Sequence, residues 1–237
     1  MTTQLLTIKS ATLLQRLAHI AASHASPIFA SSLSAEDMVI TDLIAKNKLN
    51  IAHITLNTGR LHDETLALLA AIPAHYAALG HNLEITAYTP EPAAVQTYVV
   101  QWGENGFYDS LAARKACCNM RKVQPLNAAL AGHDAWITGQ RREQSETRTE
   151  LLFEEIDPAR SEEKVIVKKY NPLFDWTNAE VWAYIHAHAV PYNALHARGY
   201  PSIGCEPCTR AIRPGEDARA GRWWWEQRDN AECGLHK

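Results

Sequence analysis

The sequence predicts an α/β fold in which a parallel central sheet is flanked by helices. Three observations predict it. Short apolar runs recur through the first two-thirds of the chain, helical patterns follow them, and two of the runs close on small polar residues. Strands buried on both faces read as continuous apolar runs, and their alternation with helices marks parallel strands joined by crossovers. Ligands in such sheets bind beyond the carboxyl ends of the strands.

The elements follow in order. Leu5, Leu13, Leu14, Leu17 and Ile20 are spaced along one face of an amphipathic helix, with residues 10–25 its clearest part. Pro27–Ser31 reads as the first strand and Glu36–Lys46 as the second helix. Ile51–Leu56 is a continuous buried strand, and the polar stretch after it leads into a helix through Leu69. Leu83–Tyr88 and Ala135–Thr138 complete four strands, and Val165–Lys169 reads as an added one. Thr177 caps a helix over NAEVWAYIHAH. From Pro191 onward turns, cysteines and tryptophans replace periodic structure.

A chain of 237 residues can bury one substantial core. Residues 1–218 are expected to form a single α/β domain, and 219–237 a mobile tail appended to it. A net charge of −3 argues against general nucleic-acid binding, which needs a basic surface. No apolar run approaches the ~20 residues of a membrane span. Lys9, Gln15 and Arg16 interrupt the N-terminal pattern, so no signal-peptide core forms. A cytoplasmic location follows as the expectation, with reduced cysteines. Homo-oligomerisation is left open.

Two strand ends invite a nucleotide. ASSLSAEDMV places Ser32, Ser34 and Asp37 where backbone N–H groups and hydroxyls can meet a phosphate at a helix N-terminus. The plainer alternative is a helix capped by Ser34 with acidic residues in its first turn. NTGRLHDET repeats the arrangement with Thr58, Gly59 and Arg60, the glycine permitting close approach of backbone.

The five cysteines are Cys117, Cys118, Cys205, Cys208 and Cys233. Four thiolates can close the shell of a [4Fe–4S] cluster or of a structural zinc. The adjacent pair Cys117–Cys118 favours the cluster, since a cubane offers separate irons whereas zinc prefers ligands two to four residues apart. Lys122, four residues after Cys118, shares its face if the segment is helical; a solvated surface lysine is the alternative. The last 19 residues, RAGRWWWEQRDNAECGLHK, hold Cys233 beside His236, with Arg219 and Arg222 upstream. Cations near a thiol lower its pKa, and three consecutive tryptophans are costly to expose unless they dock.

SLSAEDMV, LNTGRLHDET, KACCNMRK, TGQRREQS, PYNALHARGYPSIGCEPCTR, GRWWWE and ECGLH together resemble the bacterial assimilatory adenylyl-sulfate reductases along nearly the whole chain. That family is related to the phosphoadenylyl-sulfate reductases and to the adenine-nucleotide-binding ATP pyrophosphatases, so the resemblance implies an adenine nucleotide alpha hydrolase-like fold. It implies one [4Fe–4S] cluster per chain on Cys117, Cys118, Cys205 and Cys208, and Cys233 as nucleophile. The implied reaction takes adenosine 5′-phosphosulfate to sulfite and AMP through a cysteine S-sulfonate, with thioredoxin or glutaredoxin as reductant. Lys122, Arg141, Arg142, Arg219 and Arg222 are then candidates to hold the phosphosulfate anion. Asn57 departs from the family's usual Asp before TGRL.

Three alternatives remain beside it. Phosphoadenylyl-sulfate reductases keep the ECGLH tail but typically lack the four cluster cysteines. An ATP-consuming adenylating or tRNA-thiolating enzyme would carry S-G-G-x-D-S where this chain has Ser32-Leu33-Ser34-Ala35-Glu36-Asp37. A zinc module explains four cysteines and leaves Cys233 without a purpose.

Overall fold

The computed structural model describes residues 3–145, 148–161 and 166–226. Helix α1 (Thr3–Ser23) precedes strand β1 (Pro27–Ser31), followed by α2 (Ala35–Asn47), β2 (Ala52–Leu56), α3 (Asp63–Ala78) and β3 (Thr86–Tyr88). Then come α4 (Pro92–Trp102), α5 (Leu111–Cys118), α6 (Gln124–Leu130), β4 (Ala135–Ile137), β5 (Glu154–Ile156), β6 (Lys168–Tyr170) and α7 (Asn178–His188). The sheet has six strands in the order β3-β2-β1-β4-β6-β5. β1 runs parallel to β2 and β4, and β4 parallel to β6; β5 is antiparallel to β6 at one edge. The α/β expectation therefore holds for a mostly parallel sheet with helices packed against it. No helix among the described residues is long and apolar enough to cross a membrane.

The chain divides into two compact units. The first comprises Met1–Thr55, Asp63–Thr86 and Gly132–Ala194; the second comprises Leu56–His62, Ala87–Ala131 and Leu195–Lys237.

In the first unit Leu13, Leu17 and Ile20 of α1 pack with Phe29, Val39, Ile137, Tyr170 and Trp176 in one core. Each large apolar side chain buried there contributes about 1.5–3 kcal/mol. Nearly all of α2 is buried, Glu36, Asp37 and Asp42 included, so its acidic residues need partners. Asp42 finds them in Lys46 and in the hydroxyls of Tyr76 and Tyr184. Thr177 caps α7 as expected: its Oγ1 accepts from the Glu180 N–H at 3.2 Å, and Glu180 Oε2 accepts from the Thr177 N–H at 2.8 Å.

The second unit has an aromatic core of Tyr98, Phe107 and Trp223, in which Cys117, Cys205 and Cys208 are buried. The helices around it were not foreseen from the sequence. A π-helical turn, Asn119–Val123, joins α5 to α6 and places its extra residue directly after the cysteine pair. Such turns recur at functional sites because they re-aim the side chains that follow.

Candidate active site

In the first unit the chain leaves β1 toward β2 on one side of the sheet and returns at β4 on the other. The strand order thus reverses between β1 and β4, where open parallel sheets hold ligands. Two loops flank that point, Ser32–Ser34 after β1 and Thr138–Arg141 after β4. Ser34 occupies the N-cap position of α2 without a side-chain cap bond. Instead Asp37 folds back: its Oδ2 accepts from the Ser32 N–H at 2.5 Å and the Ser32 hydroxyl at 2.6 Å. Leu33, at φ 61°, makes the turn that permits this, and its N–H donates to Ser31 Oγ. Burial pushes the Asp37 carboxyl up to about 6, against the Ser32 hydrogen bonds that lower it. Gly139 is required here, since a Cβ at that position would strike the Asp37 carboxylate.

Glu36, beside it, is held by Arg141 at 2.7 and 3.1 Å and by Gln144 at 3.0 Å. Burial raises the Glu36 carboxyl, but the Arg141 charge and the hydrogen bonds of Gln144 and Arg141 outweigh it and leave it below the usual range. Arg141 is itself buried and also donates to the Trp176 carbonyl and to Glu143. Arg142 donates to the Leu151 carbonyl at 2.8 Å, its guanidinium lying 4.7 Å from the Phe174 ring centre. Both arginines brace the loop after β4 through these bonds.

In the second unit Cys117, Cys118, Cys205 and Cys208 line one cavity. The C-x-x-C segment is a turn of 3-10 helix in which the Cys208 N–H donates to the Cys205 carbonyl at 3.0 Å. The Asn57–His62 loop braces it. Leu61 bridges Cys205, the Arg60 carbonyl accepts from the Glu206 N–H, and the Thr58 hydroxyl lies 3.3 Å from Cys205 Sγ. Gly59, at φ 68°, passes close to Arg121, whose guanidinium donates to the Thr58 carbonyl at 2.7 Å. Arg60 turns to Glu104 and Asn105.

Five cations join the cysteines in the wall: Arg60, Arg114, Arg121, Lys122 and Arg222. Burial raises the Cys117 thiol, with Arg121 the main force the other way. Burial also takes Cys208 up to about 12, with Cys205 and Cys118 adding to it and Lys122 and Arg222 opposing. Such thiols stay protonated unless a metal ion ionises them. All four are free and buried. Among the described residues no group of three or more His, Cys, Asp or Glu is placed to hold a metal ion. Arg222 is braced by Ser202 and by the Trp223 ring. Arg219 lies in the preceding turn, where its carbonyl accepts from the Arg222 N–H. Cys233 and His236 lie outside the described residues.

Arg114, Arg121 and Trp223 in this wall were not singled out as site residues from the sequence. The signal for Arg114 was there: it sits four residues before Cys118, one helical turn away on the same face.

A family profile described as "Phosphoadenosine phosphosulfate reductase domain" matches residues 26–211, most of the chain. The chain belongs to this family. It is 56% identical over 229 residues to an adenosine 5′-phosphosulfate reductase of Neisseria meningitidis serogroup B, covering 97% of this chain and 89% of the relative. It is 50% identical over 237 residues to an adenosine 5′-phosphosulfate reductase of Allochromatium vinosum, covering 100% of this chain and 89% of the relative. Among solved structures, a phosphoadenylyl-sulfate reductase from Candida auris in a phosphate complex superposes with a TM-score of 0.67 at 24% identity, over 90% of this chain and 98% of that one. That likeness concerns the fold.

Proposed function

We propose that this chain reduces adenosine 5′-phosphosulfate to sulfite and AMP in sulfate assimilation, with Cys233 as nucleophile and thioredoxin or a similar dithiol as reductant. The observation that carries the reading is the cavity in which four buried cysteines meet five cations, in a chain about half identical to proteins of that name. In the proposed reaction the Cys233 thiolate attacks the sulfonate sulfur. An S–S bond forms, the bond from sulfur to the phosphate oxygen breaks, and AMP leaves with the electron pair. A reductant thiolate then attacks Cys233 Sγ and expels sulfite, and its second thiol closes a disulfide. The dithiol supplies both electrons.

Cys117, Cys118, Cys205 and Cys208 are proposed to hold one [4Fe–4S] cluster. Tetrahedral zinc would draw its sulfurs to within about 3.8 Å of one another, given Zn–S bonds near 2.3 Å. The adjacent Cys117–Cys118 pair suits a cubane better, since there each sulfur can take its own iron. Such a cluster, once bound, would add negative charge and order to this unit. Lys122 and Arg222 line the same cavity and are proposed to offset that charge and to bind the sulfonate's oxygens. Arg219 and His236 are assigned to the same sulfonate chemistry. In the first unit, the loops that carry Ser32, Ser34, Asp37 and Arg142 are assigned to recognition of the adenylate. Thr58, Gly59 and Arg60 brace the cysteines as well as forming a strand-end loop. Four free buried thiols suit a reducing cytoplasm, and residues 219–237 are proposed to act as the catalytic tail of a domain spanning 1–218.

Reduction of the 3′-phosphorylated nucleotide is the competing reading, favoured by the family's description. Sulfite release from each nucleotide, measured with thioredoxin on anaerobically purified protein, separates the two. A higher kcat/KM for the 3′-phosphorylated substrate would overturn the proposal.

A further inference from the structure

The cavity wall contains one cation whose strongest partner is the last residue the structure describes. Arg114 is fully buried. Its Nε and one terminal nitrogen donate to the two carboxylate oxygens of Glu226 at 2.9 and 2.8 Å, a bidentate pair. Its guanidinium carbon lies 4.8 Å from the centre of the Trp223 ring, and Cys118 accepts a further hydrogen bond from it. One side chain on α5 therefore holds a cavity cysteine, a wall tryptophan and the start of the C-terminal segment. Fork-on-fork geometry fixes direction as well as distance.

We propose that Arg114 and Glu226 are positioning residues, a clamp that fixes where and in which direction the chain sets out toward Cys233. This rests on the reading of Cys233 as nucleophile. Cys233 follows Glu226 by seven residues, which can span at most about 25 Å when fully extended. With the clamp intact, the thiol is confined to that radius around a point set by the cysteine cavity. Without it, the nearest fixed point retreats to Trp225, which packs against Tyr108 and Phe107. The tether then lengthens from seven residues to eight.

Length alone matters little. Effective concentration falls as about the −3/2 power of tether length, so one extra residue costs about 1.2-fold. Loss of direction matters more, because misplacing a reacting group by about 1 Å can cost up to about 100-fold. The clamp hypothesis therefore demands a loss well beyond twofold.

The test is single-turnover S-sulfonation of anaerobically purified full-length protein by adenosine 5′-phosphosulfate without reductant, with the adduct on Cys233 followed by mass spectrometry. Glu226→Gln keeps the side chain's size and removes its charge; Glu226→Asp keeps the charge and shortens the arm. The expected result for Glu226→Gln is a sulfonation rate lower by about tenfold or more, with iron and sulfide content and nucleotide KM unchanged. Glu226→Asp should recover most of the rate. A Glu226→Gln rate within twofold of wild type overturns the clamp. So does a loss of iron in proportion to the loss of rate, which would make the pair a structural support of the cavity. A wild-type protein that forms no adduct on Cys233 removes the nucleophile reading, and the clamp with it, before any variant is made.

Discussion

Glu36 and Arg141 meet at 2.7 Å in a pair whose side chains are 11% and 4% exposed. That pair decides what Arg141 is available for. The sequence offered Arg141 as a ligand for an anionic substrate, yet its guanidinium already serves Glu36, Glu143 and the Trp176 carbonyl. Removing one partner of a buried pair leaves an uncompensated charge, typically at about 3–5 kcal/mol. Glu36→Gln is expected near the lower end, about 3 kcal/mol, because Glu143 remains 3.1 Å from Arg141. Denaturant unfolding checks this, and a loss under about 1 kcal/mol would show that Glu143 takes over the charge.

Asp37 gives a pH dependence of defined sign. Its carboxyl is raised from 3.8 to about 6 by burial. Between those values the folded protein binds more protons at Asp37 than the unfolded chain does, so stability falls as pH rises. The contribution is fully present below 3.8 and lost through about 6. Asp37→Asn imitates the protonated state and can keep the Ser32 contacts. Its stability is expected to exceed that of wild type at pH 8 and to vary less between pH 4 and 6. Equal pH profiles for the two proteins would mean that Asp37 titrates normally.

The cysteine cavity predicts a metal content. Protein purified without oxygen is expected to be brown and to carry about four irons and four sulfides per chain. Cys205→Ser should lose both, since it replaces a soft ligand that is tied to the Asn57–His62 loop by the Leu61 bridge and the Thr58 hydroxyl. One stoichiometric zinc in colourless protein would refute the assignment.

How much of this was legible beforehand depends on where the information resides. β1 was placed to the residue, because Pro27 opens it and its apolar run ends at Ser31. The cap of α7 was legible because Thr177 stands directly before the NAEVWAYIHAH pattern, and the structure adds the reciprocal bond to Glu180. β3 came out shorter than the run Leu83–Tyr88, and β5 was missed, since Glu154-Glu155-Ile156 has no strand pattern and is set by pairing with β6. The site followed the same division. Cys205 and Cys208 announce themselves by spacing, and Gly59 by its turn. The tie between Thr58 and Cys205 crosses 147 positions in sequence, and the bidentate grip of Arg114 on Glu226 crosses 112. Contacts of that kind are written in the fold and not in any local pattern.

Cys233 separates chemistry from folding most sharply. The chain has five cysteines. Four line the cavity of the second unit and are buried there, where burial keeps Cys117 and Cys208 from ionising on their own. All four are the proposed cluster ligands, and burial makes Cys117 and Cys208 poor nucleophiles. Cys233, outside the described residues, is the proposed nucleophile. Cys233→Ser is therefore expected to retain iron, sulfide and nucleotide binding and to release no measurable sulfite. Wild-type protein given adenosine 5′-phosphosulfate without reductant should gain one sulfonate group on Cys233, and added thioredoxin should remove it as sulfite. Since the reductant resolves the adduct by attack at sulfur, a single-cysteine thioredoxin should instead be trapped as a mixed disulfide with Cys233. An adduct on any cavity cysteine, or substantial turnover by Cys233→Ser, would end this mechanism while leaving the fold, the family and the cavity as they are.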